Sequence, residues 1–261
     1  MTIRRLVHSE LRNVARSRWL LVYAIVLLSL TDLLFRFGGS GERVVLSLTN
    51  VILALVPLVG LVLGTMHVYQ SREFIELMLA QPVGRRTLFG ALYAGLALPL
   101  AGAYALGVGL PLLWHGQLLG GSAGGPTLLL SGVALTLVFT ALAFVIALLF
   151  EERAAGLGAA IVTWLITVVV YDGLLLLAVV SLDDWPVEIP AMIATLLNPV
   201  DLGRVLLLLR FDSGALAGYT GAIFARFMGG GTAMAIAITA LALWILSPLA
   251  LGLRRFERRD W

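Results

Sequence analysis

The run of 64 residues between Arg86 and Glu151 contains no formally charged side chain. About 20 apolar residues in a helix cross the hydrocarbon core of a bilayer, so this run is long enough for two crossings. The glycine-rich, charge-free residues 116–126 are typical of a tight external turn between them. Across the chain, 60% of residues are hydrophobic and 13% are charged, which excludes an ordinary soluble domain. The sequence therefore predicts an integral membrane protein.

Apolar stretches alternate with short arginine-bearing loops along the whole chain, and this pattern predicts six spans in an all-α fold. A seventh span over 189–209 is the alternative. It would bury Asp201 and Arg204 and would place the arginine-rich end of the chain outside, so we reject it. We expect a single six-span transmembrane domain over 19–261. The predicted spans cover 19–34, 44–66, 88–113, 126–150, 156–180 and 232–253.

The placement of the arginines predicts the orientation of the spans. With both termini in the cytoplasm, thirteen of the 18 basic residues lie in inner segments. Cytoplasmic loops of membrane proteins carry an excess of basic residues, so the bias favours this orientation. The outer segments keep only Arg36, Arg43, Arg204, Arg210 and Arg226.

The residue types that are missing exclude several kinds of site. All 18 basic residues are arginines, and a phosphate-binding P-loop needs a lysine, so this chain does not supply that site. The absence of cysteine excludes disulfides and thiolate chemistry. The three histidines are dispersed along the chain, and we predict no catalytic, cofactor or metal site. The arginines flank apolar spans and form no stripe interleaved with aromatic residues, so we also expect no nucleic acid partner.

Residues 1–18 combine apolar side chains at helical spacing with arginines on much of the remaining surface. This pattern predicts an amphipathic cytoplasmic helix that lies in the membrane interface, with lipid as its partner. The alternative is a basic flank of the first span without a special function. The apolar positions are Ile3, Leu6, Val7, Leu11 and Val14.

Residues 67–87, between the second and third spans, predict a short amphipathic helix followed by a rigid turn. Such a helix is suitable for docking into a groove of a soluble partner. The alternative is a solvated connector. The turn is Pro82-Val83-Gly84, and the candidate contact residues around it are Arg72, Glu73, Phe74, Glu76, Leu77, Met78, Arg85 and Arg86.

The long external connection, 181–231, predicts a re-entrant or interfacial helix. Asn198 followed by Pro199 resembles a helix cap with proline at the first helical position, and Asp201 falls in the first turn. The apolar residues 200–209, which include Arg204, are too few to cross a bilayer. The alternative is a simple lid over the outer face.

Polar residues within the spans are candidates for a transport pathway, because charge inside a membrane is costly. These candidates are Asp172 and Asn50. We expect Asp172 either to serve the pathway or to form an ion pair with Arg204, Arg210 or Arg226. Two further patterns predict contacts, namely close helix packing at Gly60 and Gly64 and a local ion pair between Asp32 and Arg36.

With these residues in view, the chain resembles the ABC-2-type exporter permeases. Residues 76–90, ELMLAQPVGRRTLFG, are similar to the exit of the family's coupling helix, although Ala91 stands where the family often has lysine. Residues 197–207, LNPVDLGRVLL, resemble an asparagine-proline-x-aspartate motif of one branch. That branch contains the permease of a copper-processing system for nitrous-oxide reductase maturation.

The resemblance implies an inner-membrane homodimer of twelve spans above two separate ATPase subunits, which would hold ATP and magnesium. It implies that residues 67–87 contact the ATPase, that a periplasmic accessory protein is a further partner, and that this chain is not an enzyme. The alternatives are an exporter of a lipid or drug-like cargo, an intramembrane protease and a structural membrane subunit. A protease of the aspartyl type would need a second carboxylate beside Asp172.

Overall fold

The computed structural model describes residues 17–118, 124–174, 177, 188–209 and 230–259. Within these ranges the chain is helical and contains no strand. The sixth helix continues without a break into a π-helix, Ile166–Val170. The helices are α1 Arg18–Phe37, α2 Gly41–Gln70, α3 Arg72–Leu79, α4 Arg85–Trp114, α5 Gly124–Leu149, α6 Arg153–Leu165, α7 Glu188–Leu197, α8 Pro199–Leu208 and α9 Gly230–Arg258.

Six helices of the described part are long and apolar enough to cross a bilayer, which confirms the predicted number of spans. They are α1, α2, α4, α5, α6 with its continuation to Leu174, and α9. The helix α3 has 8 residues and α7 and α8 have 10 each, so all three are too short to cross a bilayer. Three predicted segments lie partly outside the described residues. These parts are residues 1–16 of the predicted interfacial helix 1–18, residues 119–123 of the predicted turn, and most of the external segment 181–231.

One end of the bundle, which we call the arginine end, is held together by contacts between the ends of α2, α4, α5 and α9. Tyr69 donates from its hydroxyl to the carbonyl of Phe150, just after α5, at 3.0 Å. Arg85, the first residue of α4, donates to the carbonyl of Glu257 in α9 at 2.6 Å. The first residue of α6, Arg153, also lies at this end, since it follows Phe150 by three positions.

The opposite end is held by a smaller polar cluster around Asp32 of α1. The predicted pair of Asp32 and Arg36 is confirmed, with Nε of the arginine 2.6 Å from a carboxylate oxygen. The other carboxylate oxygen accepts from the indole of Trp114 at 3.2 Å and lies 3.1 Å from Nε2 of His115. These contacts join the end of α1 to the end of α4.

The helix α5 is the centre of the bundle and packs against α2, α4, α6, α8 and α9. It approaches α2 closely at the two predicted glycines. A Cβ added at Gly60 would lie 3.2 Å from the Cβ of Phe139, and one added at Gly64 would lie 2.5 Å from the Cβ of Ala143. The absence of a side chain at these positions therefore permits the close packing that the sequence predicted.

We predict that Gly64→Ala destabilises the bundle, because the new methyl group would overlap Ala143 and force α2 and α5 apart. Overpacking of this kind costs about 1–3 kcal/mol of the free energy of unfolding. The measurement is reversible unfolding of the purified protein in mixed micelles. The matched control is Gly90→Ala, where an added Cβ meets nothing within 4 Å. Combining Gly64→Ala with Ala143→Gly should restore stability, and a failure to restore it would argue against this contact.

Candidate functional site

The short helix α3 is anchored to the bundle by one face. Its Ile75 is 1% exposed and belongs to a compact apolar cluster at the arginine end. We call this group the anchor cluster. It joins α3 to α2, α4, α5 and α9 through Val68, Ile75, Leu88, Phe89, Ala91, Leu92, Leu96, Phe144, Ala147, Leu148 and Phe256.

The other face of α3 points away from the bundle. Glu73, Glu76, Leu77 and Ala80 are exposed and recur at the spacing of one helical face. Leu77 is 66% exposed, which is unusual for a leucine so close to a well-packed cluster. Among the described residues neither glutamate forms a salt bridge. The surface therefore combines two available carboxylates with one apolar side chain.

Four of the other predicted contact residues are engaged by the chain itself. Phe74 and Met78 are half-buried against the anchor cluster. Arg72 donates to the carbonyl of Phe150 at 3.3 Å, and its guanidinium lies 4.5 Å from the centre of the Tyr69 ring. Arg85 donates to the carbonyl of Glu257.

Arg86 is also engaged, since its Nε lies 2.7 Å from the carboxylate of Glu257. Ile75 was not among the predicted contact residues. Its spacing of four from Leu79 was the signal for the anchored face of α3.

The predicted cap of α8 is confirmed, and it also ties α8 to the π-helix that continues α6. The side-chain oxygen of Asn198 accepts from the backbone N–H of Val200 at 3.0 Å, and Pro199 is the first helical residue. The amide nitrogen of Asn198 donates to the carbonyl of Thr167 at 2.8 Å. Thr167 lies in the π-helix of the fifth span, and π-helical segments often occur at functional sites.

Arg204 links α8 to the fifth span by bridging two carboxylates. One guanidinium nitrogen lies 2.7 Å from Asp172, and another lies 2.9 Å from Asp201. The predicted pairing of Asp172 with Arg204 is thus confirmed, whereas Arg210 and Arg226 lie outside the described residues. We call Asp172, Asn198, Asp201 and Arg204 the polar lock.

The second carboxylate beside Asp172 was not expected from the sequence. Asp201 was predicted only to favour the start of its helix, and no local pattern indicates that α8 would bring it to the fifth span. Two further contacts fix this region, since Tyr171 donates to the carbonyl of Ala194 and the indole of Trp244 donates to the carbonyl of Leu196 at 3.1 Å. A guanidinium joins the two carboxylates, and this ion-pair network sets the site apart from an aspartyl protease pair.

The polar lock carries one more negative than positive charge when both carboxylates are ionised. Asp201 is 3% exposed and lies in α8, outside the six spans. Burial raises the pKa of Asp201 to about 7; Arg204 opposes this effect and the carboxylate of Asp172 reinforces it. One proton taken up by Asp201 therefore neutralises the lock.

The remaining predicted polar residue does not join either site. Asn50 is exposed on α2. Within the described ranges, no group of three or more histidine, aspartate or glutamate side chains is placed to hold a metal ion.

Comparison with known proteins gives two similar chains. The chain is 31% identical to the probable ABC transporter permease protein NosY of Pseudomonas aeruginosa strain PAO1, over 97% of both chains. It is 28% identical to the probable ABC transporter permease protein NosY of Stutzerimonas stutzeri, again over 97% of both chains. No family model matches the chain.

We predict that Arg204→Gln destabilises the protein by about 2–3 kcal/mol. The substitution leaves two carboxylates without their cation. Removing one partner of a fully buried ion pair costs about 3–5 kcal/mol of stability. The cost is smaller here because the side chain of Arg204 is 27% exposed. The measurement is the shift in thermal unfolding in detergent. The matched control is Arg36→Gln, because Arg36 is 65% exposed and its pair with Asp32 is worth less than about 1 kcal/mol. Equal shifts for the two variants would contradict a structural role of the lock.

We also predict that part of the stability is lost as the pH rises. Asp201 binds its proton more tightly in the folded protein, at a pKa of about 7, than in an unfolded chain, at about 3.9. Its contribution is therefore fully present below about pH 4 and is lost as the pH approaches and passes 7. Asp201→Asn should flatten this part of a plot of unfolding temperature against pH. An unchanged slope in the variant would assign the pH dependence to other groups.

Proposed function

Since this chain belongs to the NosY family of ABC transporter permeases, we propose that it is an ABC-2-type membrane subunit driven by a separate ATPase. In this proposal two copies form a homodimer in the inner membrane, with both termini and the arginine end in the cytoplasm. ATP and magnesium bind to the ATPase subunit. This chain holds no cofactor and performs no catalysis.

The observation that carries the proposal is the division of α3 into an anchored face and an exposed face. A force applied to the exposed face is passed on through Ile75 to the rest of the anchor cluster, which includes side chains from four other helices. Packed protein interiors are dense and transmit displacement efficiently. The helix α3 therefore suits the role of a coupling helix, as the resemblance implied.

The chemistry of the exposed face indicates what the ATPase should present. We expect the ATPase to bind Leu77 in a small apolar pocket. Beside this pocket, basic or N–H-donating groups would bind the carboxylates of Glu73 and Glu76. Arg72, Arg85 and Arg86 contribute indirectly, because their contacts with the chain hold α3 and α9 in position. In this role they are positioning residues.

A displacement of α3 can reach the end of the bundle opposite the arginine end through packed helices. The helices α5 and α9 both contribute to the anchor cluster, and both also pack against α8. The helix α8 contains two residues of the polar lock, Asp201 and Arg204. Movement of these spans at the arginine end would therefore shift α8 relative to Asp172. We propose that ATP binding and hydrolysis are coupled to the outer face in this way.

For the cargo, we propose a role in a copper-processing system for nitrous-oxide reductase maturation, through a periplasmic accessory protein. The chain has no cysteine, and its six methionines are dispersed. Copper transfer needs several soft ligands in one place. Transmission of force to an external partner, or movement of a non-metal cargo, therefore fits this chain better than conduction of the metal.

A second candidate is the export of a lipid-like cargo, and one apolar groove favours it. The groove lies between α7 and α9, has a volume of about 560 Å³, and includes Leu197, Leu243 and Trp244 in its lining. Thr239 and Ser247 add polar groups to an otherwise apolar surface. Stimulation of ATP hydrolysis by added amphiphiles would favour this candidate over force transmission.

We predict that Leu77→Ala and Glu76→Ala each weaken ATPase binding by roughly 5- to 30-fold, since a central interface residue contributes about 1–2 kcal/mol. The chain would be co-expressed with ATPase subunits encoded beside its gene. The complex would be purified in lipid, and its assembly and vanadate-sensitive ATP hydrolysis measured. The matched control is Leu98→Ala, which removes a leucine that is also more than half exposed from the side of a span.

Each outcome of this experiment decides between readings. Loss of assembly in the α3 variants, with Leu98→Ala unaffected, would support coupling through the exposed face. An assembled complex with normal turnover in both α3 variants would reject α3 as the coupling element. Absence of any associated ATPase would reject the proposed function as a whole.

A further inference from the structure

A second feature of the arginine end is a pocket between the end of α5 and the end of α9. It has a volume of about 510 Å³, and basic and apolar groups share its lining. Arg259 donates to the carbonyl of Leu148 at 3.2 Å, so the two walls of the pocket are joined. The pocket is lined by Leu148, Leu149, Glu151, Leu251, Arg254, Arg255, Arg258 and Arg259.

The lining residues of α9 are arranged in the order that a phospholipid requires. Leu251, Arg255 and Arg258 recur at the spacing of one helical face. Leu251 lies one turn before Arg255 and about two turns before Arg258, closer to the middle of the span. Leu251 is 53% exposed, and Leu149 on α5 is 45% exposed. The pocket therefore has its cations toward the end of α9 and its aliphatic side chains toward the middle of the span.

The pocket carries a large excess of positive charge. It contains four arginines and one glutamate. Arg254, Arg255 and Arg258 are exposed, and none of them forms a salt bridge with a described residue, in contrast to Arg86. Interaction with the negative end of the α9 dipole accounts for basic residues in the last turn. It does not account for a shaped cavity around them, in which like charges lie close together.

We propose that this pocket binds the phosphate headgroup of an anionic phospholipid from the leaflet at the arginine end. Guanidinium groups match phosphate oxygens with paired N–H donors, and the exposed leucines accommodate the first part of the acyl chains. Because the pocket joins α5 to α9, a bound lipid bridges two of the spans that meet in the anchor cluster. The site is separate from the exposed face of α3, so it does not depend on the proposed ATPase contact.

The test uses the full-length protein in detergent and native mass spectrometry with added phosphatidylglycerol or phosphatidylcholine. We expect retained phosphatidylglycerol adducts and few phosphatidylcholine adducts. A basic residue near an anionic surface contributes about 1 kcal/mol, so Arg255→Gln or Arg258→Gln should weaken binding about fivefold. The matched control is Arg153→Gln, an exposed arginine at the same end that does not line the pocket.

Four outcomes would overturn the proposal. Equal retention of the two lipids by the wild-type protein would show that headgroup charge is not recognised, and this comparison needs no variant. An equal loss in Arg153→Gln would indicate general surface electrostatics. Displacement of the lipid by millimolar inorganic phosphate would assign the pocket to free phosphate. Exclusion of phosphatidylglycerol from the assembled complex with the ATPase would assign the pocket to protein contact.

Discussion

The absence of hydrogen-bonding partners in a bilayer is the constraint on which the rest of this structure depends. Each backbone N–H and C=O group within the hydrocarbon layer must be paired inside the protein, so the spans are helices. The short helix α8 meets the same constraint in another way. Asn198 caps the start of α8, and most residues of the helix are buried against α2, α5 and α9.

The same constraint explains why ionised groups are concentrated at the two ends of the bundle. At the arginine end, Arg85 and Arg86 join the start of the third span to the end of the last. Toward the other end, Arg204 joins α8 to the fifth span through two carboxylates. Between them α5 contributes no charged side chain, and it packs closely against α2 at Gly60 and Gly64, which have no side chain. The centre of the protein is thus a packed rod that connects two polar regions.

The spans were predictable from the sequence because their signal is local. Charge-free runs, the pair at Asp32 and Arg36, and the cap at Asn198 with Pro199 each depend on residues close in the chain. Gly60 and Gly64 predicted close packing, but their spacing does not identify Ala143 as the neighbour. The juxtaposition of Asp201 with Asp172 was unpredictable for the same reason, since it depends on how α8 docks.

The exposed and buried faces of α3 show a further limit of sequence reasoning. Phe74, Leu77 and Met78 are all apolar, and the sequence assigned all three to a partner. The structure separates them, because only Leu77 shares a face with Glu73 and Glu76. The direction of each side chain follows from where the bundle lies relative to α3, and within this short helix only the spacing of Ile75 and Leu79 indicates it.

Several spans contain points at which the regular helical hydrogen bonding is interrupted. Pro57, Pro99 and Pro248 lie inside α2, α4 and α9, and each removes one backbone N–H donor. In the fifth span the regular α-helical hydrogen bonding gives way to a π-helix. The carbonyl of Thr167 in this π-helix accepts a hydrogen bond from the side-chain amide of Asn198. A helix bends most easily where its ladder is broken. A displacement that enters through the anchor cluster would therefore be concentrated at these positions, and the π-helix lies directly beside the polar lock.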